Sequence, residues 1–250
     1  MATFVLVHGS WHGGWSFDLL RARLEAKGHE VLAPDLPGMG GDEVQLRATT
    51  LQGWADFVAG LCREARQRPV VLVGHSRGGL VVSQAAETAP EAIDALVYIC
   101  AMMLPDGMSR AQFKTLEGPN PAFDAIVSPV FGGAGTVVDP AGAPAVFAQL
   151  SPAAEVARAI DRLVVEPHGP RSTPLHLTSG RFGSLPRTYI ECTEDRTIPI
   201  ASQRHMQDLV PGAEVVTLAA DHSPFLSMPD ELADALLGVL DRFDLAEAKG

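Results

Sequence analysis

Short apolar runs recur along the chain, each followed by a stretch of helical periodicity, and this alternation limits the fold more than any other feature. "TFVLVH" (3–8) precedes a periodic segment from Phe17 to Lys27, and "HEVLAPDL" (29–36) precedes an amphipathic stretch from Leu51 to Arg66. "PVVLVGH" (69–75) leads into a helix from Arg77 to about Thr88, and "DALVYICAMM" (94–103) follows. Strands joined by crossover helices pair in parallel, and strands covered on both faces read as nearly unbroken apolar runs. The pattern predicts an α/β fold with a mostly parallel sheet and helices on both faces. A hydrophobic content of 46% and a mean hydropathy of +0.12 fit so thick an interior.

Between Leu104 and Arg187 the alternation stops. Proline and glycine gather in "LEGPNPAF", "FGGAGTVVDPAGAPAV" and "EPHGPRSTPL", with one helical piece around Ser151 to Leu163 opened by Ser-Pro. Residues 104–186 therefore read as an inserted cap, or lid, on a core domain made of residues 1–103 and 187–250. The alternation resumes with "RTYIECT" (187–193), a helix near Ala201 to Leu209, "AEVVTLAA" (213–220) and a helix from about Pro229 to Phe243. The final "LAEAKG" is expected to fray. At 250 residues, one large domain with an insertion is the natural organisation.

Charge and composition exclude several classes of function. A net charge of −11, with no Lys/Arg cluster, opposes binding to nucleic acid or anionic lipid. No apolar run reaches the roughly 18 residues of a membrane helix, and "MATFVLVHGS" lacks the form of a signal peptide. The three cysteines, Cys62, Cys100 and Cys192, are odd in number and far apart, and read as structural thiols. A cytoplasmic protein is expected, and its alanine and arginine usage suggests a bacterial source.

One segment carries chemistry. "VVLVGHSRGG" sets Gly74-His75-Ser76-Arg77-Gly78 in the pattern GxSxG between a strand and a helix. That is the context in which the pattern signifies a nucleophile elbow. The abrupt turn lifts a strained serine above the sheet edge, and flanking glycines leave room for it. A serine hydroxyl needs a general base, and the base an orienting acid. Of eight histidines, His222 in "LAADHSPFLSMPDEL" follows a strand and lies late in the chain, as the order Ser, acid, His requires. His8, His12 and His75 come too early for that order, and His29, His168, His176 and His205 read as surface or loop residues. "TYIECTEDRTIPI" offers Asp195 as the acid, with Glu194 and Asp221 as alternatives. The helix N-terminus aims the Arg77 amide at an oxygen bound beside Ser76, and the glycine-rich loop "HGSWHGGW" offers the Ser10 amide as the second oxyanion donor.

Together, "HGSWHGGW", "GHSRGG", "AMMLPDG", "CTEDRTIP" and "ADHSPFLSMPDEL" resemble the α/β-hydrolase branch that contains plant methyl esterases, hydroxynitrile lyases and related bacterial esterases. The resemblance covers residues 3–103 and 187–240, and in the cap extends chiefly to its central helix. It implies the α/β-hydrolase fold, with nucleophile Ser76, acid Asp195, base His222 and oxyanion amides on Ser10 and Arg77. The lyases of this branch carry a threonine after the first-strand histidine and a lysine after the catalytic one, where this chain has Gly9 and Ser223. That departure favours ester hydrolysis over cyanohydrin cleavage.

The expected activity is that of a serine carboxylesterase acting through an acyl-enzyme on a small hydrophobic ester, aromatic or alkyl. Trp11 and Met103 are the first candidates for the substrate pocket, followed by Met102, Phe113, Phe123, Phe131 and Phe147. The Arg77 side chain could hold a substrate carboxylate or pair with an acid on the helix surface. Carbamate, amide or lactone hydrolysis uses the same groups, and a ligand receptor on this fold is the alternative from another class. The mechanism needs no cofactor or metal, and either a monomer or a homodimer is compatible with the sequence.

Overall fold

A computed structural model describes residues 1–245 of the chain. Its centre is a six-stranded sheet in the order β2-β1-β3-β4-β8-β9, with every pair parallel. The strands are β1 (Thr3–Val7), β2 (Glu30–Leu32), β3 (Val70–His75), β4 (Ala95–Ile99), β8 (Arg187–Cys192) and β9 (Ala213–Leu218). These are the six expected strands, although β2 is only three residues long and β4 stops well before Met103.

Side chains alternate across the sheet into two cores, which is why the strands look uniformly apolar in sequence. Phe4, Leu6, Val71, Val73, Val97 and Ile99 face α1 (Asp18–Ala26) and the long C-terminal helix. Val5, Val7, Val70, Leu72, Leu96 and Tyr98 face helices on the opposite side. There Trp54 and Val58 come from α3 (Leu51–Glu64), which follows the short α2 (Glu43–Ala48), and Leu80 and Val81 come from α4 (Gly78–Thr88).

Residues 104–186 hold short helices and a three-stranded antiparallel sheet, β5 (Val127–Val130), β6 (Gly135–Val138) and β7 (Glu166–Pro167). The helices are α5 (Arg110–Lys114), α6 (Pro121–Ile126), α7 (Ala143–Phe147), α8 (Ala153–Ile160) and α9 (Gly169–Ser172). α8 is the helix that the periodicity indicates. The small sheet has no sequence signal of comparable strength, since its strands are two to four residues long and carry Pro129, Gly135 and Pro167. Trp11 from the main domain packs into this segment with Val138, Val146 and Phe147.

The chain closes with α10 (Ile200–Leu209), α11 (Pro224–Ser227) and α12 (Pro229–Arg242). Leu245 N–H donates to Leu240 O at 2.8 Å, and the rest of the segment expected to fray, 246–250, lies outside the described residues.

Candidate functional site

β1 runs on to β2 at one side, and the chain then returns to place β3 at the other side of β1. The loops leaving β1 and β3 therefore diverge at a topological switch point, where open α/β sheets form ligand sites. Ser76 stands at the end of β3 with φ of 53°, a left-handed conformation that is strained for a serine. Its backbone is fixed from both sides: Ser76 N–H donates to Ile99 O at 3.1 Å, and Ser76 O accepts from Met102 N–H at 2.9 Å. The two glycines of "RGG" are sterically required. A Cβ on Gly78 would lie 2.5 Å from Val7 O, and one on Gly79 would lie 2.5 Å from Met102 O.

Three side chains from separate loops form a relay. Ser76 Oγ lies 3.0 Å from His222 Nε2, and His222 Nδ1 lies 2.7 Å from Asp195 Oδ2. The other carboxylate oxygen of Asp195 accepts from the amides of Thr197 (2.7 Å) and Ile198 (2.8 Å), which fixes its orientation. All three residues are buried. Such a relay can draw a proton from the serine hydroxyl while the carboxylate holds the imidazole in the tautomer that accepts it.

The competing acids lie elsewhere. Glu194 is exposed. Asp221 anchors its loop, accepting from Ser223 N–H at 3.1 Å and Ser227 Oγ at 2.8 Å, and it reaches the inserted segment through Leu150 N–H at 2.8 Å and Ser151 Oγ at 3.1 Å. The early histidines form a scaffold around the relay. His75 donates from Nε2 to His222 O at 2.7 Å, holding the loop that presents the imidazole. His12 Nδ1 donates to Ser10 O at 2.7 Å, and His8 bridges Gly9 O and Leu36 N–H at 2.9 and 3.1 Å. Burial is the main cause that lowers His8 to about 3 and His12 to about 4, and it pushes His75 well below the ordinary value, so all three are neutral.

The Ser10 and Arg77 amide N–H groups have no acceptor among the described residues. Both residues line a cavity with Ser76, Trp11, Met102 and Phe123. Trp11 is thus where the sequence suggests, and Met103 is not. Met103 is fully buried in the core, whereas the neighbouring Met102, tied to Ser76 O, takes the cavity wall. The residues after β4 leave the regular strand at Cys100, whose φ is 34°, and their facing depends on that irregular path. Phe113 is likewise core, and Phe131 is largely exposed.

The Arg77 side chain does pair with an acid, but in the interior. Arg77 Nε forms an ion pair with Glu166 of β7, and the two side chains are 4% and 2% exposed. The guanidinium also stacks over Trp54, 4.3 Å from the ring centroid, and Nη2 donates to Gly9 O at 3.2 Å. Ser10 Oγ donates to the same Glu166 carboxylate at 3.0 Å. Sequence reading missed Glu166, which sits in a proline-rich stretch with no local pattern. His75, Cys100 and His222 bring nitrogen and sulfur atoms within 4.8 Å of one another, but both His222 ring nitrogens are committed to the relay and His75 Nε2 to a carbonyl.

Family comparison agrees with this architecture: the model of the alpha/beta hydrolase family matches residues 4–235. The chain belongs to that family. This α/β hydrolase is 33% identical to the pyrethroid hydrolase of Sphingobium wenxiniae, covering 95% of this chain and 87% of the relative. It is 33% identical to salicylic acid-binding protein 2 of Nicotiana tabacum, covering 96% and 98%. The crystal structure of a pyrethroid hydrolase from Sphingobium faniae superposes with a TM-score of 0.87 at 31% identity, covering 96% of this chain and 97% of that one.

Proposed function

We propose that this α/β hydrolase is a serine carboxylesterase in which Ser76 is the nucleophile, His222 the general base and Asp195 the orienting acid. The observation that carries the reading is the unbroken relay from Ser76 Oγ through His222 to Asp195, at 3.0 and 2.7 Å, beside two amides without acceptors. His222 takes the hydroxyl proton as Ser76 attacks the ester carbonyl. The amides of Ser10 and Arg77 hold the tetrahedral oxyanion, each contributing about 10²–10³ in rate. His222 then protonates the departing alkoxide, and water activated by the same imidazole releases the acid. Ester hydrolysis is also the activity that the names of the pyrethroid hydrolase and methylesterase relatives support.

Residues 104–186 act as the cap of the site, with Trp11, Met102 and Phe123 bounding an apolar side suited to an aromatic or alkyl ester. Gly9 leaves no side chain between His75 and Ser76, where a Cβ would come within 2.8 Å of each. That close approach disfavours the threonine a hydroxynitrile lyase would need there. The test is reaction with a fluorophosphonate followed by intact mass measurement, alongside turnover of p-nitrophenyl esters. One adduct per chain on the parent, absent from Ser76→Ala together with turnover, is the expected result. A parent that binds esters but neither labels nor hydrolyses them would refute the esterase reading in favour of a receptor.

A further inference from the structure

Positive charge around the cavity exceeds the carboxylates that balance it. Arg77, Arg110 and Arg171 all line it, and Glu166 is the one lining carboxylate among the described residues. Arg77 is neutralised by Glu166. Arg110 Nη1 lies 2.7 Å from Glu117 Oε2, in a pair that is itself largely buried. Asp124, the other acid acting on Arg110, is matched by Lys114 at 3.0 Å. Arg171, half-buried on α9, has no carboxylate within 4 Å among the described residues, and it acts against the charge on Arg110 across the α5–α9 contact.

An unpaired guanidinium placed beside another in a partly desolvated wall is unfavourable in the empty protein. A bound anion would reverse that cost, and planar carboxylates match the guanidinium fork. Trp11, Met102, Phe123 and Ile198 give the same wall an apolar side. We propose that the site selects esters whose apolar or aromatic body carries a second, anionic group such as a carboxylate, with Arg171 as the residue that receives it. The inference deepens the esterase reading and rests on it. It also departs from the hydrophobic ester expected from Trp11, the methionines and the cap phenylalanines, and it assigns the anion to Arg171 and not to Arg77, whose charge the protein already satisfies.

The experiment compares kcat/KM for methyl benzoate, monomethyl isophthalate and monomethyl terephthalate in the parent, Arg171→Gln and Arg171→Lys. A charge-assisted contact predicts a preference of about 10–100-fold for an anionic ester over the neutral one, expressed mainly in KM. Arg171→Gln should remove most of that preference, Arg171→Lys should keep part of it, and added salt should weaken it in the parent. Equal use of neutral and anionic esters by the parent, or a preference that survives Arg171→Gln, would overturn the inference while leaving the esterase reading intact. If the parent hydrolyses no ester, the esterase reading fails. Calorimetric binding of benzoate against isophthalate and terephthalate then decides the anion site alone: tighter binding of a dicarboxylate that is lost in Arg171→Gln supports it, and equal binding overturns it.

Discussion

Replacing Glu166 by glutamine should expose how strongly residues 104–186 and the Ser76 turn depend on one buried carboxylate. Glu166 and Arg77 are 2% and 4% exposed, and water cannot take over the charge that the substitution leaves behind. Without a charged partner, the Arg77 guanidinium is left with neutral contacts: the Gly9 carbonyl at 3.2 Å, Met39 Sδ at 3.9 Å, the face of Trp54 at 4.3 Å and the new amide. Breaking a buried pair from one side costs about 3–5 kcal/mol, and the amide oxygen that glutamine retains for Ser10 places this case near about 3 kcal/mol. For a chain of this size that corresponds to a fall in Tm of roughly 6–12 °C. Removing both charges, as Arg77→Met with Glu166→Leu, leaves no stranded ion and should recover most of the loss. Thermal unfolding followed by circular dichroism on Glu166→Gln, and on the cycle of the parent, Arg77→Met, Glu166→Leu and the double variant, measures the effect. A shift below about 2 °C for Glu166→Gln, or a double variant whose loss equals the sum of the single ones, would refute the reasoning.

Two further outcomes follow from the geometry of the site. Asp195→Asn preserves the packing but no longer holds His222 in the tautomer that accepts from Ser76, and kcat for p-nitrophenyl acetate should drop by about 10⁴ with little change in the far-UV spectrum; a loss under tenfold would remove Asp195 from the relay. His8 and His12 are held neutral, at about 3 and about 4, whereas in the unfolded chain they titrate near 6.5. Below pH 6.5 the unfolded state therefore binds protons that the folded state refuses, and stability falls as the pH drops towards 4. The loss is about 2 kcal/mol for each histidine at pH 5. Equal denaturant midpoints at pH 7.5 and pH 5 would contradict it.

Much of the fold was legible because it is built from local or periodic signals. The six parallel strands announce themselves through runs that must be apolar on both faces, and Ser76 through a turn whose glycines answer to backbone atoms 2.5 Å away. His222 and Asp195 were singled out by chain order and by their places just after β9 and β8, and the structure brings their side chains to 2.7 Å of each other. The three neutral histidines stand outside the Ser76–His222–Asp195 relay, and their work as a scaffold was not visible, since it depends on burial and on backbone groups in other loops.

Local sequence sets the framework: which segments become the strands of the six-stranded sheet, which serine is held in a strained turn and which loops gather at one sheet edge. Those properties follow from periodicity and from residues close together in the chain. The tertiary arrangement settles which of two adjacent methionines faces the cavity, which acid receives Arg77 and which of the three cavity arginines has no carboxylate among the described residues. Glu166 lies 156 residues beyond Ser10 and comes from a sheet of two- to four-residue strands. The cost of burying a charge, and hence its pairing, is set by the folded surroundings and has no signature in the local sequence.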